Sequence, residues 1–134
     1  MRSISDFTVT IEPLEDACVM RVTGELDSGT ADRLRGPLAG AREDEVTALL
    51  DMSGVSFIDS SGLGVLLEAA RATDRDGWAW FIVRPSSVVL RLLELSGAAP
   101  RLPLVEPQLG ATRRVSPAAA VRDRRGRGRA ALHG

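Results

Sequence analysis

The spacing of apolar residues along this chain switches repeatedly between the two-residue period of a strand and the 3.6-residue period of a helix. That alternation narrows the fold more than any other feature. Residues 7–11 (FTVTI) alternate apolar and polar side chains, and residues 17–22 (ACVMRV) resume a β-like pattern after the turn at 12–16. Two such runs across a short turn predict a hairpin. Ala31, Leu34, Leu38 and Ala41 lie at helical spacing over residues 30–41, with Ser28 or Asp27 positioned to cap that helix. Pro37 falls inside it and is expected to kink or shorten it. Residues 46–52 (VTALLDM) read as a central strand buried on both faces, and residues 56–58 as a separate, brief extended piece.

Asp59-Ser60-Ser61-Gly62 opens a second helix, with Leu63, Leu66, Leu67 and Ala70 apolar, ending near Gly77. Residues 78–83 (WAWFIV) form the next strand, in which Trp78 and Trp80 share a core-facing side. Ser86 or Ser87 caps a third helix bearing Val89, Leu90, Leu92, Leu93 and Leu95, closed by Ser96-Gly97. Residues 102–105 (LPLV) suit an edge strand, because Pro103 has no N–H to donate to a central ladder. The order β-β-α-β-α-β-α-β predicts an α/β domain: a mixed, mostly parallel sheet of four to five strands with helices packed on it through right-handed crossovers.

Charge divides the chain where the pattern stops. Residues 1–106 carry 10 Arg against 17 Asp and Glu, a net −7; residues 107–134 carry 7 Arg against one Asp, a net +6. A folded domain over 1–106 is expected, followed by an Arg/Ala/Gly/Pro-rich tail over 107–134 whose composition favours disorder. An acidic domain disfavours nonspecific nucleic-acid binding. The single Cys18, read as a buried inert thiol, excludes an internal disulfide, and the lone His133 excludes a His-based metal or catalytic cluster. No metal, cofactor or catalytic residue is expected. Acids interrupt the N-terminal segment and no run nears the ~20 apolar residues of a membrane span, so a cytoplasmic protein without membrane contact is expected.

The stretch with chemical content is Asp51-Met-Ser-Gly-Val-Ser-Phe-Ile-Asp-Ser-Ser-Gly-Leu-Gly64. It reads as a buried strand, a tight turn, and two hydroxyls in the first turn of an amphipathic helix. Unpaired amides and the helix dipole there are expected to favour a negative group. Gly62 and Gly64 are expected to keep the turn uncrowded, so that another protein's backbone approaches closely. On the residues alone, Ser60 is either a helix cap or a hydroxyl presented to a partner, and Asp27 is either a cap for its own helix or part of the same surface.

Asp59-Ser60-Ser61-Gly62-Leu63-Gly64 after Val55-Ser56-Phe57-Ile58, with Gly24-Glu25-Leu26-Asp27 upstream and Leu95-Ser96-Gly97 after the third helix, closely resembles the STAS domain. More narrowly, it is similar to bacterial anti-sigma factor antagonists, over roughly residues 6–106. The resemblance implies a partner-switching protein that is a kinase substrate rather than an enzyme. Its unphosphorylated form binds an anti-sigma factor serine kinase and frees a sigma factor; phosphorylation releases the kinase, and a serine phosphatase reverses this. Carried over, Ser60 is the phosphosite (Ser61 the lesser candidate), and Asp27, Asp59, Ser60, Ser61, Gly62 and Leu63 form the partner surface. Family members commonly finish with a helix beside the sheet. Ala118-Ala119-Ala120-Val121 after Pro117 would supply a turn or two of it, but the Arg-Gly run beyond departs from that pattern.

Two other functions share the fold: a non-switching STAS scaffold, and a small-ligand-binding STAS domain. The chain has no phosphate-cradling loop of the P-loop type, since Gly62-Leu63-Gly64 lacks the spacing and the Lys. An enzyme is disfavoured because Ser60 has no His to act as its base.

Overall fold

The computed structural model describes residues 7–105. The tail expected to be disordered over 107–134, and the helical turn expected at Ala118-Ala119-Ala120-Val121, lie outside the described residues. The element order is β1 (Thr8–Pro13), β2 (Ala17–Leu26), α1 (Ala31–Glu43), β3 (Thr47–Ile58), α2 (Ser60–Asp76), β4 (Trp80–Val83), α3 (Ser87–Ser96), a 3-10 turn (Ala99–Arg101) and β5 (Leu104–Val105). The strands form one sheet in the order β1-β2-β3-β4-β5. β1 and β2 are the expected antiparallel hairpin, and every later pair is parallel.

Alternation along the strands separates two faces. Cys18, Met20 and Val22 on β2, Ala48, Leu50 and Met52 on β3, and Trp80 and Ile82 on β4 are buried on one face. There they join Leu34 and Leu38 of α1, Val65 and Leu66 of α2, and Val89 and Leu93 of α3 in a single apolar cluster. On the opposite face Ala17, Thr47 and Asp51 are buried, whereas Val19, Leu49, Phe81 and Val83 are half-buried. No residue of 46–52 is exposed, as expected of a central strand covered on both faces. Cys18 is buried, and burial pushes its thiol pKa up.

The helices show where local signals decided and where packing overrode them. α1 buries Ala31, Leu34, Leu38 and Ala41, the expected stripe, and runs unbroken through Pro37. Proline in a helix interior costs about 3 kcal/mol, and burying Leu34 and Leu38 at roughly 1.5–3 kcal/mol each offsets it. Its N-cap is Thr30, not Asp27 or Ser28. α2 ends at Gly77, whose φ of 79° is the left-handed conformation a helix stop uses. Across the seam between α1 and α2, Arg35 pairs with Glu68 at 2.9 Å and Arg42 with Asp76 at 2.7 Å. Those hydrogen bonds hold both carboxyls below the usual carboxylate range, with the Trp78 backbone adding to the effect on Asp76.

α3 is capped by the Ser86 hydroxyl, which accepts from the Val89 amide at 3.4 Å. Only Val89 and Leu93 are buried in it, while Leu90 and Leu95 are 38% and 74% exposed. Its apolar face is thus narrower than the sequence suggested. Trp78 and Trp80 are both buried and stack with centroids 6.4 Å apart. Trp78 precedes β4 rather than belonging to it, and its indole N–H donates to the Val46 carbonyl at 2.8 Å.

The strand that positions the site is longer than expected. Residues 46–52 and 56–58 are not two pieces but one strand, β3, running through Gly54. Its pairing with β2 shifts register twice: Arg21 faces Asp51 but Thr23 faces Gly54, and Gly24 faces Val55 but Glu25 faces Phe57. Each shift inserts one extra residue on β3 and moves its inward set by one. The inward residues accordingly run Ala48, Leu50, Met52, then Val55, then Ile58. The first shift is held by Asp51, whose carboxylate accepts from the Ser53 amide at 2.9 Å and its hydroxyl at 2.8 Å. At Gly54 a Cβ would lie 2.6 Å from the Thr23 methyl, so the strands approach there only because that side chain is absent.

Candidate functional site

β4 ends at Val83, level with Asp51 of β3, and β1 begins at Thr8, level with Thr23 of β2. Beyond those points, among the described residues, only β2 and β3 continue in the sheet, paired to Leu26 and Ile58, and form a two-stranded tip. Asp27 follows the first strand and Asp59 the second, so adjacent strand ends bring them together. The Asp59 amide donates to the Leu26 carbonyl at 3.3 Å, tying the two loops.

Asp59 is the N-cap of α2. One carboxylate oxygen accepts from the amides of Ser61 at 2.8 Å and Gly62 at 3.3 Å, and its carbonyl accepts from the Leu63 amide at 3.0 Å. This removes the alternative in which Ser60 caps the helix. It also corrects the expectation of amides awaiting an anion, because a carboxylate of the chain already occupies them. Ser60 is the first residue of the helix and is exposed; its hydroxyl bonds to no described residue. Ser61 is half-buried beside it.

The glycines have different roles from those expected. Gly62 is buried: a Cβ there would lie 2.7 Å from Leu26 Cγ and 2.9 Å from the Leu26 carbonyl oxygen. It allows α2 to close on β2 and offers no surface to a partner. Gly64 is half-exposed, and a Cβ there would meet no atom within 4 Å. Leu63 is divided, packing partly on the core and partly exposed.

Asp27 is half-buried and does not cap α1. Its carboxylate accepts from the Gly29 amide at 2.9 Å, while its own amide donates to the Thr30 hydroxyl at 2.9 Å. That hydroxyl donates to the Glu25 carbonyl at 2.7 Å, closing the loop. Two participants escaped the sequence reading. Thr30 organises the Asp27 loop, and its signal was the Asp-x-x-Thr spacing. Phe57, 46% exposed on the tip opposite Glu25, carried no usable signal, since the register shifts decide its side.

The tip is acidic. Glu25, Asp27 and Asp59 form no ion pair with any described residue, whereas Glu12, Asp51, Glu68 and Asp76 each pair with Arg. Among the described residues there is no group of three or more His, Cys, Asp or Glu suited to hold a metal. No described helix is long and apolar enough to cross a membrane.

Comparison with known proteins identifies the family and the fold. The model of the STAS domain family matches residues 8–111. The anti-sigma F factor antagonist of Paenibacillus polymyxa is 29% identical over 105 residues, 77% of this chain and 90% of that one. The crystal structure of an anti-sigma factor antagonist from Mycobacterium paratuberculosis aligns with a TM-score of 0.66 at 25% identity, over 82% of this chain and 93% of that one. SpoIIAA, a Bacillus cell fate determinant and anti-sigma factor antagonist, shares the fold in its unphosphorylated form (TM-score 0.62, 24% identity, 89% of this chain and 97% of that one) and in its phosphorylated form (TM-score 0.58).

Proposed function

The chain belongs to the STAS domain family, and from that premise we propose that it is an anti-sigma factor antagonist, a binding module switched at Ser60. The unphosphorylated tip binds an anti-sigma factor serine kinase and thereby releases a sigma factor. The kinase phosphorylates Ser60, the complex separates, and a serine phosphatase restores the binding form. The protein is a kinase substrate without a reaction of its own and acts in the cytoplasm.

One observation carries this reading: Ser60 is exposed and its hydroxyl bonds to no described residue, because Asp59 performs the capping that a helix-start serine would otherwise perform. Ser61 is half-buried and its amide is held by Asp59, so it is the lesser phosphosite. Asp27, Ser60, the exposed part of Leu63 and the half-exposed Gly64 are assigned to the partner surface because none of them is buried.

The switch follows from charge. A phosphoserine carries roughly −1.5 to −2 charges near neutral pH. At an exposed position it disturbs no packed neighbour, so the fold persists. In a closed interface the same group must be desolvated beside Asp27 and Asp59. A penalty of ~3 kcal/mol weakens binding more than a hundredfold.

The test is to incubate the protein with ATP and histidine-kinase-like anti-sigma factors, map phosphate by mass spectrometry, and follow the complex by gel filtration. Phosphate on Ser60 with loss of the complex is expected. Stable binding without phosphate transfer would instead identify a non-switching scaffold.

A further inference from the structure

Nine Arg stand against fifteen Asp and Glu among the described residues, which leaves that part of the chain at a net −6. The cations are not spread evenly over it. Arg21 and Arg84 flank Asp51 on the sheet, and Arg33 lies over the Phe7 ring and donates to the Phe7 carbonyl at 3.2 Å. Four of the other six, Arg35, Arg42, Arg71 and Arg75, line one cavity of about 260 Å³ in the seam between α1 and α2. Glu68 is the only acidic side chain in that lining.

The seam is open because several of its side chains are small. Ala39 on α1, with Ala69 and Ala72 on α2, leaves space beside Leu38, Val65 and Trp78, so the lining between the arginines is apolar. The Arg35–Glu68 and Arg42–Asp76 pairs cross the seam about two helical turns apart. Arg71 and Arg75 are one turn apart on the same side of α2 and both are exposed. They lower the Glu68 and Asp76 carboxyls from a distance but form no ion pair or hydrogen bond with any described residue.

We propose that this seam docks an acidic segment of a protein partner, which sets apolar side chains into the cavity and lays carboxylates against Arg71 and Arg75. Charge selects the occupant: the lining is cationic within a domain that is otherwise acidic, so an acidic segment is attracted here and repelled elsewhere. Size selects a peptide over a small molecule, because about 260 Å³ is below the ~300–1,000 Å³ of small-molecule sites. The spacing agrees, since the four arginines are spread over two turns of α1 and one of α2, which suits successive carboxylates better than a single anionic group. Arg71 is eleven residues from Ser60 along α2, or ~16 Å, about twice the Debye length at physiological salt. This contact therefore stays available whether or not Ser60 is modified, and it does not depend on the Ser60 assignment.

The experiment selects short peptides from a random phage-displayed library on the full, unmodified chain and measures the affinity of the enriched ones by fluorescence anisotropy. Acidic peptides with apolar residues at helical spacing are expected. Their affinity should fall about tenfold or more when Arg71→Gln and Arg75→Gln are combined. Arg91→Gln with Arg101→Gln removes the same charge from outside the cavity and should leave the affinity nearly unchanged. An equal loss in both double variants would overturn the proposal, since it reports attraction to overall charge. So would a selection that yields no peptide sensitive to Arg71 and Arg75. Ser60→Asp should leave the affinity as it is; a loss there would put the peptide on the tip instead and overturn the seam as its site. The four substituted arginines are exposed, so thermal unfolding of both variants should match the wild-type chain and keep the affinities comparable.

Discussion

β2 and β3 are a single pair of strands with two characters. From Ala17–Thr47 to Arg21–Asp51 they pair in constant register within a five-stranded sheet. Between Arg21 and Glu25 they shift register twice, and beyond Thr23–Gly54 they pair only with each other among the described residues, ending in the loops that hold Asp27 and Ser60. The body is held by apolar burial, which tolerates no departure from alternation. The tip also buries Leu26, Val55 and Ile58 in the core, and backbone contacts around Leu26, Asp59 and Thr30 fix its loops, while Glu25, Phe57 and Ser60 face outward. Packing and recognition at the tip are thus divided between inward and outward residues of the same segment.

Substitutions in the two regions can break or sharpen this division. The largest loss of stability should come from the body: Leu50→Ala, at a fully buried position, is expected to cost about 2–5 kcal/mol in chemical denaturation. In the tip, Gly62→Ala forces a Cβ against the Leu26 backbone and should cost about 1–3 kcal/mol. Gly64→Ala, two residues on and facing open space, should leave the melting temperature unchanged or raise it through better helix propensity. If both glycine variants melt alike, the tip is not anchored through Leu26. Asp59→Ala removes a cap and should cost about 1 kcal/mol.

Ser60→Asp should change stability little, measured by thermal unfolding, while partner binding measured by calorimetry falls more than a hundredfold. A Ser60→Asp protein that melted far below wild type would show the hydroxyl to be structural. The smallest effect belongs to the α1–α2 seam, remote from the tip. Glu68 and Asp76 have depressed pKa values. Their contribution is therefore present above the unfolded pKa and lost as pH falls through the folded one. Glu68→Gln should melt slightly below wild type at neutral pH, and the gap should close as pH falls through the depressed Glu68 pKa.

Much of the fold was legible because its determinants are local. The stripe of α1, the stops at Gly77 and Gly97 and the hairpin are each set by a few neighbouring residues. The misreadings occurred where distant residues decide. Residues 53–55 looked like a break because the alternation lapses there, yet Thr23 and Asp51 hold Gly54 and Ser53 in a continuous strand. The third helix carries five apolar residues by sequence, but it turns Leu90 and Leu95 outward while Val89 and Leu93 face in. Gly62 looked like an opening for a partner because its neighbour Leu26, thirty-six positions earlier in the chain, cannot be read from the motif.

By itself the sequence determined the order of the elements, the acidic domain with its basic extension, and the motif that carries the family resemblance. These depend on periodicity, composition and short-range spacing, which need no partner elsewhere in the chain. Only the tertiary structure decided that Asp59 rather than Ser60 caps α2, that Asp27 holds a loop rather than a helix, and that Phe57 faces outward. Each of those outcomes depends on which backbone groups two adjacent strand ends bring within hydrogen-bonding distance, and that is set by register rather than by residue type.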